Sequence, residues 1–187
     1  MARLWKLAGK SPPFDFAQGR LSRARARNGA PESDITWNGM GMDITWLTER
    51  IAIGGGIWNA GNMATVAGEG ITHIVDMQVE FDDTALAAPH GIEVLWNPTN
   101  DDFEPKPAEL FEQGVEFVEG ALAEPEAKVF IHCAAGVHRA PMMALAVLGK
   151  MGWRVKDAMR LIQTKRPVAD FAEVYVESVE KFLDGKA

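Results

Sequence analysis

One segment of this 187-residue chain combines a nucleophile with the means to hold an anion in front of it. Residues 132–141 read His-Cys-Ala-Ala-Gly-Val-His-Arg-Ala-Pro, and Cys133 is the only cysteine. A lone cysteine excludes an intrachain disulfide and any zinc site built from several thiolates. It suits a reducing compartment, so a cytoplasmic setting is expected. Apolar runs flank the segment, Lys128–His132 (KVFIH) before it and Pro141–Met151 after it. The chain therefore leaves a buried strand, turns, and enters a helix, whose unpaired N–H groups and positive dipole end favour an anion. Small residues Ala134, Ala135 and Gly136 let the backbone curl so that successive N–H groups converge, with Val137 and His138 completing the cradle. The same surroundings favour the thiolate of Cys133, a good nucleophile near neutral pH. Arg139, six residues on, offers a planar fork able to clasp two phosphate oxygens. Pro141 falls in the first helical turn, where its missing N–H costs little. The spacing by itself is weak evidence. With 10 Arg in the chain, a Cys-x5-Arg arises by chance about one time in 20. The flanking strand and helix strengthen it.

The elements that must position this loop are visible on either side. Arg50–Ile53 reads as a short strand ending at Gly54-Gly55-Gly56, and Asn59 is placed to cap a helix running to Gly68. Ile71–Met77 (ITHIVDM) and Ile92–Trp96 read as buried strands, the second stopped by Asn97-Pro98. Pro107 opens a helix whose small or apolar face carries Leu110, Phe111, Gly114, Val115, Phe117, Val118 and Leu122. Helices are predicted over Val155–Lys165 and Phe171–Leu183. Strands alternating with helices imply an α/β fold: a mainly parallel central sheet of four to five strands with helices on both faces.

Charge divides the chain differently. Residues 1–33 carry seven Lys/Arg against Asp15 and Glu32, a net of +5, whereas the remainder nets −12, giving −7 in all. Residues 1–40 are basic, rich in Gly and Pro, and show no period, so a mobile tail is expected before a domain spanning 41–187. Arg-rich, acid-poor composition also fits a targeting peptide. The acidic body does not suit nucleic acid, and its longest mostly apolar stretch, Pro141–Leu148, is too short for a bilayer, so no membrane partner is expected.

His132-Cys133-x-x-Gly136-x-x-Arg139 resembles the active-site signature of the protein tyrosine phosphatase superfamily, and the size is similar to the dual-specificity branch. The resemblance extends over most of residues 43–185, through the Ile51–Gly55 strand end, Gly70-Ile71-Thr72-His73-Ile74-Val75, the Pro98–Asp102 turn and Arg166-Pro167. It implies a cysteine phosphatase fold, Cys133 as nucleophile, Arg139 as phosphate binder, His132 as a neighbour that stabilises the thiolate, and neither metal nor other cofactor. It implies as substrate a phosphorylated protein or small phosphate ester, hydrolysed through a phosphocysteine. The family also uses a carboxylic acid from a separate loop, because the leaving oxygen needs a proton. Asp101 is favoured for that role and Asp102 is the alternative, the other carboxylate then capping a helix or solvating a turn. Asp101 lies 32 residues before Cys133, similar to the family spacing. Two departures stand out: Ala140 replaces the usual hydroxyl residue, and Arg166–Phe171 is expected to alter the surface beside the pocket.

Competing functions remain on the same residues. A phosphate-recognition module with little turnover is the runner-up, supported by Ala140. A phosphatase of phosphoinositides, RNA ends or sugar phosphates is the third. For the first two of these substrates the loop residues Ala134, Ala135 and Val137 supply no extra cation. Elsewhere the plain readings are preferred: His132 as a hydrogen-bonded structural residue, His138 facing solvent or substrate, and Trp58, Trp96 and Trp153 as packing residues. Glu80–Asp83 (EFDD) is read as a solvated turn.

Overall fold

Three short runs of β-branched residues can be buried on both sides only in the middle of a sheet. The structure, a computed structural model, describes residues 42–185 and puts them there. The expected basic tail lies outside the described residues. In chain order the elements are β1 (Ile44–Trp46), β2 (Ile51–Gly54), α1 (Ala60–Gly68), β3 (His73–Asp76), α2 (Thr84–Ala87) and a 3-10 turn (Ala88–His90). They continue with β4 (Glu93–Trp96), α3 (Ala108–Leu122), β5 (Val129–His132), α4 (Arg139–Lys150), α5 (Val155–Lys165) and α6 (Glu173–Leu183). The sheet order is β1-β2-β5-β3-β4. All neighbours are parallel except β1, which runs antiparallel to β2.

Strand alternation divides the interior in two. Ile51, Ile53, Val75, Val129 and Ile131 face the core shared with α3–α6, while Ala52, Ile74 and Phe130 face Met63, Val66, Ala87 and Ile92. Helices therefore cover both faces, as the alternating pattern requires. Each fully buried Ile or Phe contributes about 1.5–3 kcal/mol relative to exposure. Helix α4 is buried from Arg139 to Leu148. At Gly114 in α3, a Cβ would lie 2.4 Å from Met143 Sδ of α4, so a larger residue there would have to push the Met143 thioether aside.

The caps follow local chemistry. Asn59 accepts from Asn62 N at 2.9 Å and starts α1. Two elements were not expected. β1 is three half-buried residues whose pairing with β2, not their own period, makes them a strand. α2 is a single turn started where Asp82 accepts from Thr84 N, too short to show a helical period. Register aligns Gly54, His132, Asp76 and Trp96 in one row. Four parallel strands thus end together, and the loops that follow them share one edge of the sheet, the usual place for ligands in such folds. Among the described residues, no helix is long and apolar enough to cross a membrane.

Candidate active site

The loop between β5 and α4 is held by its carbonyl groups. Gly56 N donates to Ala134 O at 3.0 Å, and Asp170 N donates to Val137 O at 2.9 Å. Arg166 donates through Nε to Gly136 O at 2.7 Å and through Nη2 to Ala135 O at 3.4 Å. Four successive carbonyls are thereby turned outward, which leaves the N–H side of the same peptides to line the hollow. Gly136 N points at Cys133 Sγ, 3.3 Å away. The turn needs Gly136 at φ 64°, and a Cβ there would meet Arg166 Nη2 at 2.4 Å and the Gly54 carbonyl at 2.6 Å. Arg166 is itself braced by Asp43 Oδ1 at 2.8 Å and Thr45 Oγ1 at 3.1 Å. The segment Arg166–Phe171 was expected to alter the surface beside the pocket; its first residue is buried behind the loop, where one guanidinium with several donors serves two of those carbonyls together.

Arg139 begins α4 with its guanidinium almost fully engaged. Nη1 donates to Glu80 Oε2 at 3.0 Å, Thr99 O at 3.1 Å and Met77 O at 3.3 Å, and Nη2 donates to Glu80 Oε1 at 2.9 Å. Nε is buried without a hydrogen-bond partner and lies 3.9 Å from Asp101 Oδ2. A guanidinium carries five N–H groups. The two left over, on Nε and Nη2, lie along one edge, spaced for two oxygens of a tetrahedral anion. Burial works against the Arg139 charge, but the Glu80 hydrogen bonds and the fields of Cys133, Glu80 and Asp101 outweigh it and raise its pKa. Hydrogen bonding from Arg139 in turn holds Glu80 below the usual glutamate range.

The segment Glu80–Asp83 is the solvated turn expected of it only in part. Glu80, Phe81 and Asp82 are exposed, but Glu80 also grips Arg139, and Asp83 is fully buried. Each of these two acids lies against a cationic or ionisable residue at one end of the loop between β5 and α4. His132 Nε2 lies 2.8 Å from Asp83 Oδ2 and 3.8 Å from Asp76 Oδ1, all three residues being inaccessible to solvent. The His132–Asp83 contact is close but not aligned as a hydrogen bond. Ligand atoms of Asp76, Asp83 and His132 fall within 4.8 Å of one another, the spacing of a metal site. Asp76, however, already accepts from Gln78 N at 2.9 Å and Asp83 N at 3.3 Å, which commits it to folding the loop after β3.

Burial raises the Asp76 pKa from 3.8 to about 6, against the opposing field of His132. The folded state thus keeps a proton that the unfolded chain releases, so stability from this group is full below the unfolded value and declines as pH rises towards the folded one. Asp76→Asn cannot ionise and should lack this decline. Between about pH 4.5 and about pH 7.5 its unfolding free energy should improve on wild type by about 2 kcal/mol, read from urea midpoints. A difference that stays constant across this range would show Asp76 ionised in the folded protein.

The loop after β4 brings one of its two carboxylates to the cradle. Asp101 Oδ2 lies 3.0 Å from His138 Nδ1, and Oδ1 accepts from Tyr175 Oη at 3.2 Å. Asp102 turns away to Lys106 Nζ and accepts from Glu104 N at 3.1 Å; the Lys106 hydrogen bond lowers its pKa. Asp102 thus ties the turn. His138 faces neither open solvent nor an empty pocket: its ring sits between Asp101 and Asp170, with Nε2 3.5 Å from Asp170 Oδ2. Trp58 and Trp96 are corrected as well. Both are about half exposed, at 52% and 45%, because Trp96 Nε1 donates to Gln78 O at the sheet edge and Trp58 lies over Gly56 beside Gln78. Trp153 does pack against the core. Glu80, Asp43 and Tyr175 went unnoticed in the sequence as parts of the site. Each reaches it across a long stretch of chain, and nothing in its neighbourhood of sequence marks it.

Comparison with known proteins gives the same picture. The family model described as dual specificity phosphatase, catalytic domain, matches residues 57–182. Human protein tyrosine phosphatase type IVA 3 is 34% identical over 99 residues, covering 52% of this chain and 56% of that protein. Rat dual specificity protein phosphatase 5 is 30% identical over 86 residues, covering 46% of this chain and 22% of that protein. The matched part of this chain thus spans little more than half the length of the first relative and less of the second. Among solved structures, the active form of Tk-PTP superposes with a TM-score of 0.67 at 21% identity, covering 76% of this chain and 97% of that one. PTPMT1 in complex with PI(5)P superposes with a TM-score of 0.68 at 19% identity, covering 76% and 95%. With this fold, this loop and a family match over two thirds of its length, the chain belongs to the dual specificity phosphatase catalytic-domain family.

Proposed function

We propose that residues 41–187 form a catalytic domain that hydrolyses phosphate monoesters through a phosphocysteine on Cys133. The observation that carries this reading is the buried Nε–H of Arg139, left without a hydrogen-bond partner at the end of the loop whose Gly136 N–H points at the Cys133 sulfur. A phosphate seated there presents phosphorus to the Cys133 thiolate. Sulfur attacks, the bond from phosphorus to the ester oxygen breaks, and Asp101 gives that oxygen a proton. Water then attacks phosphorus, Asp101 takes its proton, and the thiolate leaves. Fixed donors that need no reorganisation supply most of the stabilisation. Phosphotyrosine, phosphoserine or phosphothreonine in proteins are the proposed substrates. PTPMT1 was solved with a phosphoinositide, but in this chain Arg139 is the one arginine or lysine within the loop, a poor match for a headgroup with several phosphates. A cytoplasmic setting fits the lone thiol.

Ala140 is buried at the start of α4 and brings no hydroxyl to the departing sulfur. Such a charge-assisted hydrogen bond is worth roughly 1.5–3 kcal/mol, so breakdown of phosphocysteine is expected to be the slow step. Rapid mixing with p-nitrophenyl phosphate should show a nitrophenol burst of about one equivalent per site, and Ala140→Ser should speed the slow phase by about 10-fold. Absence of any vanadate-sensitive turnover would sink the phosphatase reading. Turnover without a burst would leave it standing and remove Ala140 as its limit.

A further inference from the structure

The two oxygens of Asp101 are held by different groups, Oδ1 by Tyr175 and Oδ2 by His138. Tyr175 stands on α6 with its ring buried at 1% exposure. Its oxygen accepts from Phe103 N at 2.9 Å and is 3.2 Å from Asp101 Oδ1. A phenol has one proton to give, and a backbone N–H can only donate. The Phe103 contact therefore uses the oxygen's lone pair, and the phenolic proton goes to Asp101 Oδ1. In the acid form of a carboxyl group the carbonyl oxygen is the better acceptor, so the Tyr175 hydrogen bond favours Oδ2 as the oxygen that carries the proton to be transferred. Oδ2 lies 3.9 Å from Arg139 Nε and 3.0 Å from His138 Nδ1.

The same hydroxyl also holds the loop in place. Phe103 has φ 59°, in the left-handed region that residues with a Cβ avoid. Its ring, though 53% exposed, lies parallel to the Tyr175 ring, centroids 5.9 Å apart and 3° between planes. It also meets the His138 ring edge-on at 5.2 Å. Asp101, Tyr175, Phe103 and His138 thus close a circuit that joins the acid loop, α6 and the phosphate loop. One turn further along α6, Ser178 Oγ accepts from Lys106 N at 3.1 Å and fastens the loop a second time. Lys106 Nζ sits 5.2 Å from the centre of the Tyr175 ring. Burial and the nearby Asp101 charge push the phenol above its usual pKa, so it remains a donor at neutral pH.

We propose that Tyr175 is the positioning residue of the acid: its hydroxyl docks the Asp101 loop over the phosphate loop and directs the transferable proton to Oδ2. The proposal rests on Asp101 being the general acid, and it assigns Tyr175 no contact with substrate. A hydroxyl acting this way matters only where proton transfer matters. Its loss should be felt by esters with poor leaving groups and barely by those whose oxygen leaves unaided.

Tyr175→Phe keeps the ring and its stacking and removes only the hydroxyl. The experiment compares kcat/KM across aryl phosphates of graded leaving-group acidity for wild type, Tyr175→Phe, Asp101→Asn and the double variant. For unsubstituted phenyl phosphate, Tyr175→Phe should lose about 10-fold, and for a dinitrophenyl ester less than about 2-fold. Competitive inhibition by inorganic phosphate should not change, and the double variant should be no slower than Asp101→Asn, since Tyr175 acts through that carboxylate. A wild-type leaving-group profile for Tyr175→Phe beside a steepened one for Asp101→Asn would overturn the role of Tyr175 alone. A uniform loss with every ester, or weakened phosphate inhibition, would also overturn it by revealing a merely structural part. If Asp101→Asn itself shows the wild-type profile, the general-acid assignment fails and the proposal falls with it.

Discussion

Cys133→Ser should abolish turnover of p-nitrophenyl phosphate, by at least about 10⁴-fold, the order seen when a covalent nucleophile is removed. The substitution exchanges one atom. Serine fits the buried space beneath the loop, and Gly136 N can still donate to its oxygen, which replaces the sulfur at 3.3 Å. What is lost is the nucleophile: a serine hydroxyl attacks phosphorus far more weakly than cysteine sulfur. Binding is a separate matter. The four outward carbonyls and the Arg139 edge do not depend on sulfur, so inorganic phosphate should still protect the variant against thermal unfolding. Residual activity above about a tenth of wild type would falsify the nucleophile assignment.

Arg139→Lys should lower kcat/KM by about 10²–10³, the effect of removing an aligned donor from a charge-stabilising site. Lysine keeps a positive charge but has no edge. In the wild type one edge of the fork is closed by Glu80, with contacts at 2.9 and 3.0 Å, while another stays open. An ammonium group placed between Glu80 and a phosphate can satisfy one or the other, not both in two-point fashion. Initial rates and phosphate inhibition should therefore worsen together. If the Lys variant stays within about 3-fold of wild type, charge alone suffices and the two-point geometry is irrelevant.

The sequence was most legible where the determinants are close together in the chain. Helix α5 has the bounds expected from its apolar spacing, Val155–Lys165, and Asn59 caps α1 through a neighbour three residues away. The strand, loop and helix around Cys133 could likewise be read from adjacent residues. What could not be read depends on pairing at a distance. Glu80 meets Arg139 across 59 positions and Asp101 meets Tyr175 across 74. Within the chain Glu80 has the look of any acidic turn residue, and Tyr175 that of any aromatic on an apolar helix face. The same limit explains β1, which is a strand only because β2 lies beside it. It explains the misjudged tryptophans too, since hydrophobicity does not tell a central position from a sheet edge.

The Asp43–Arg166 pair, separated by 123 residues, has a consequence for how the chain matures. The pocket's backing joins a residue just before the first strand to one in the turn after α5, so the cradle cannot be completed from any fragment that stops short of residues 43–166. During synthesis, nearly the whole domain must be outside the ribosome before Arg166 can meet both the loop carbonyls and Asp43. Contacts of such high sequence separation carry a large loop-closure cost and tend to form late. A chain stalled or truncated before residue 166 therefore lacks the donors that hold the Ala135 and Gly136 carbonyls and tie them to Asp43. Under the proposed function, activity would then serve as a probe of complete folding.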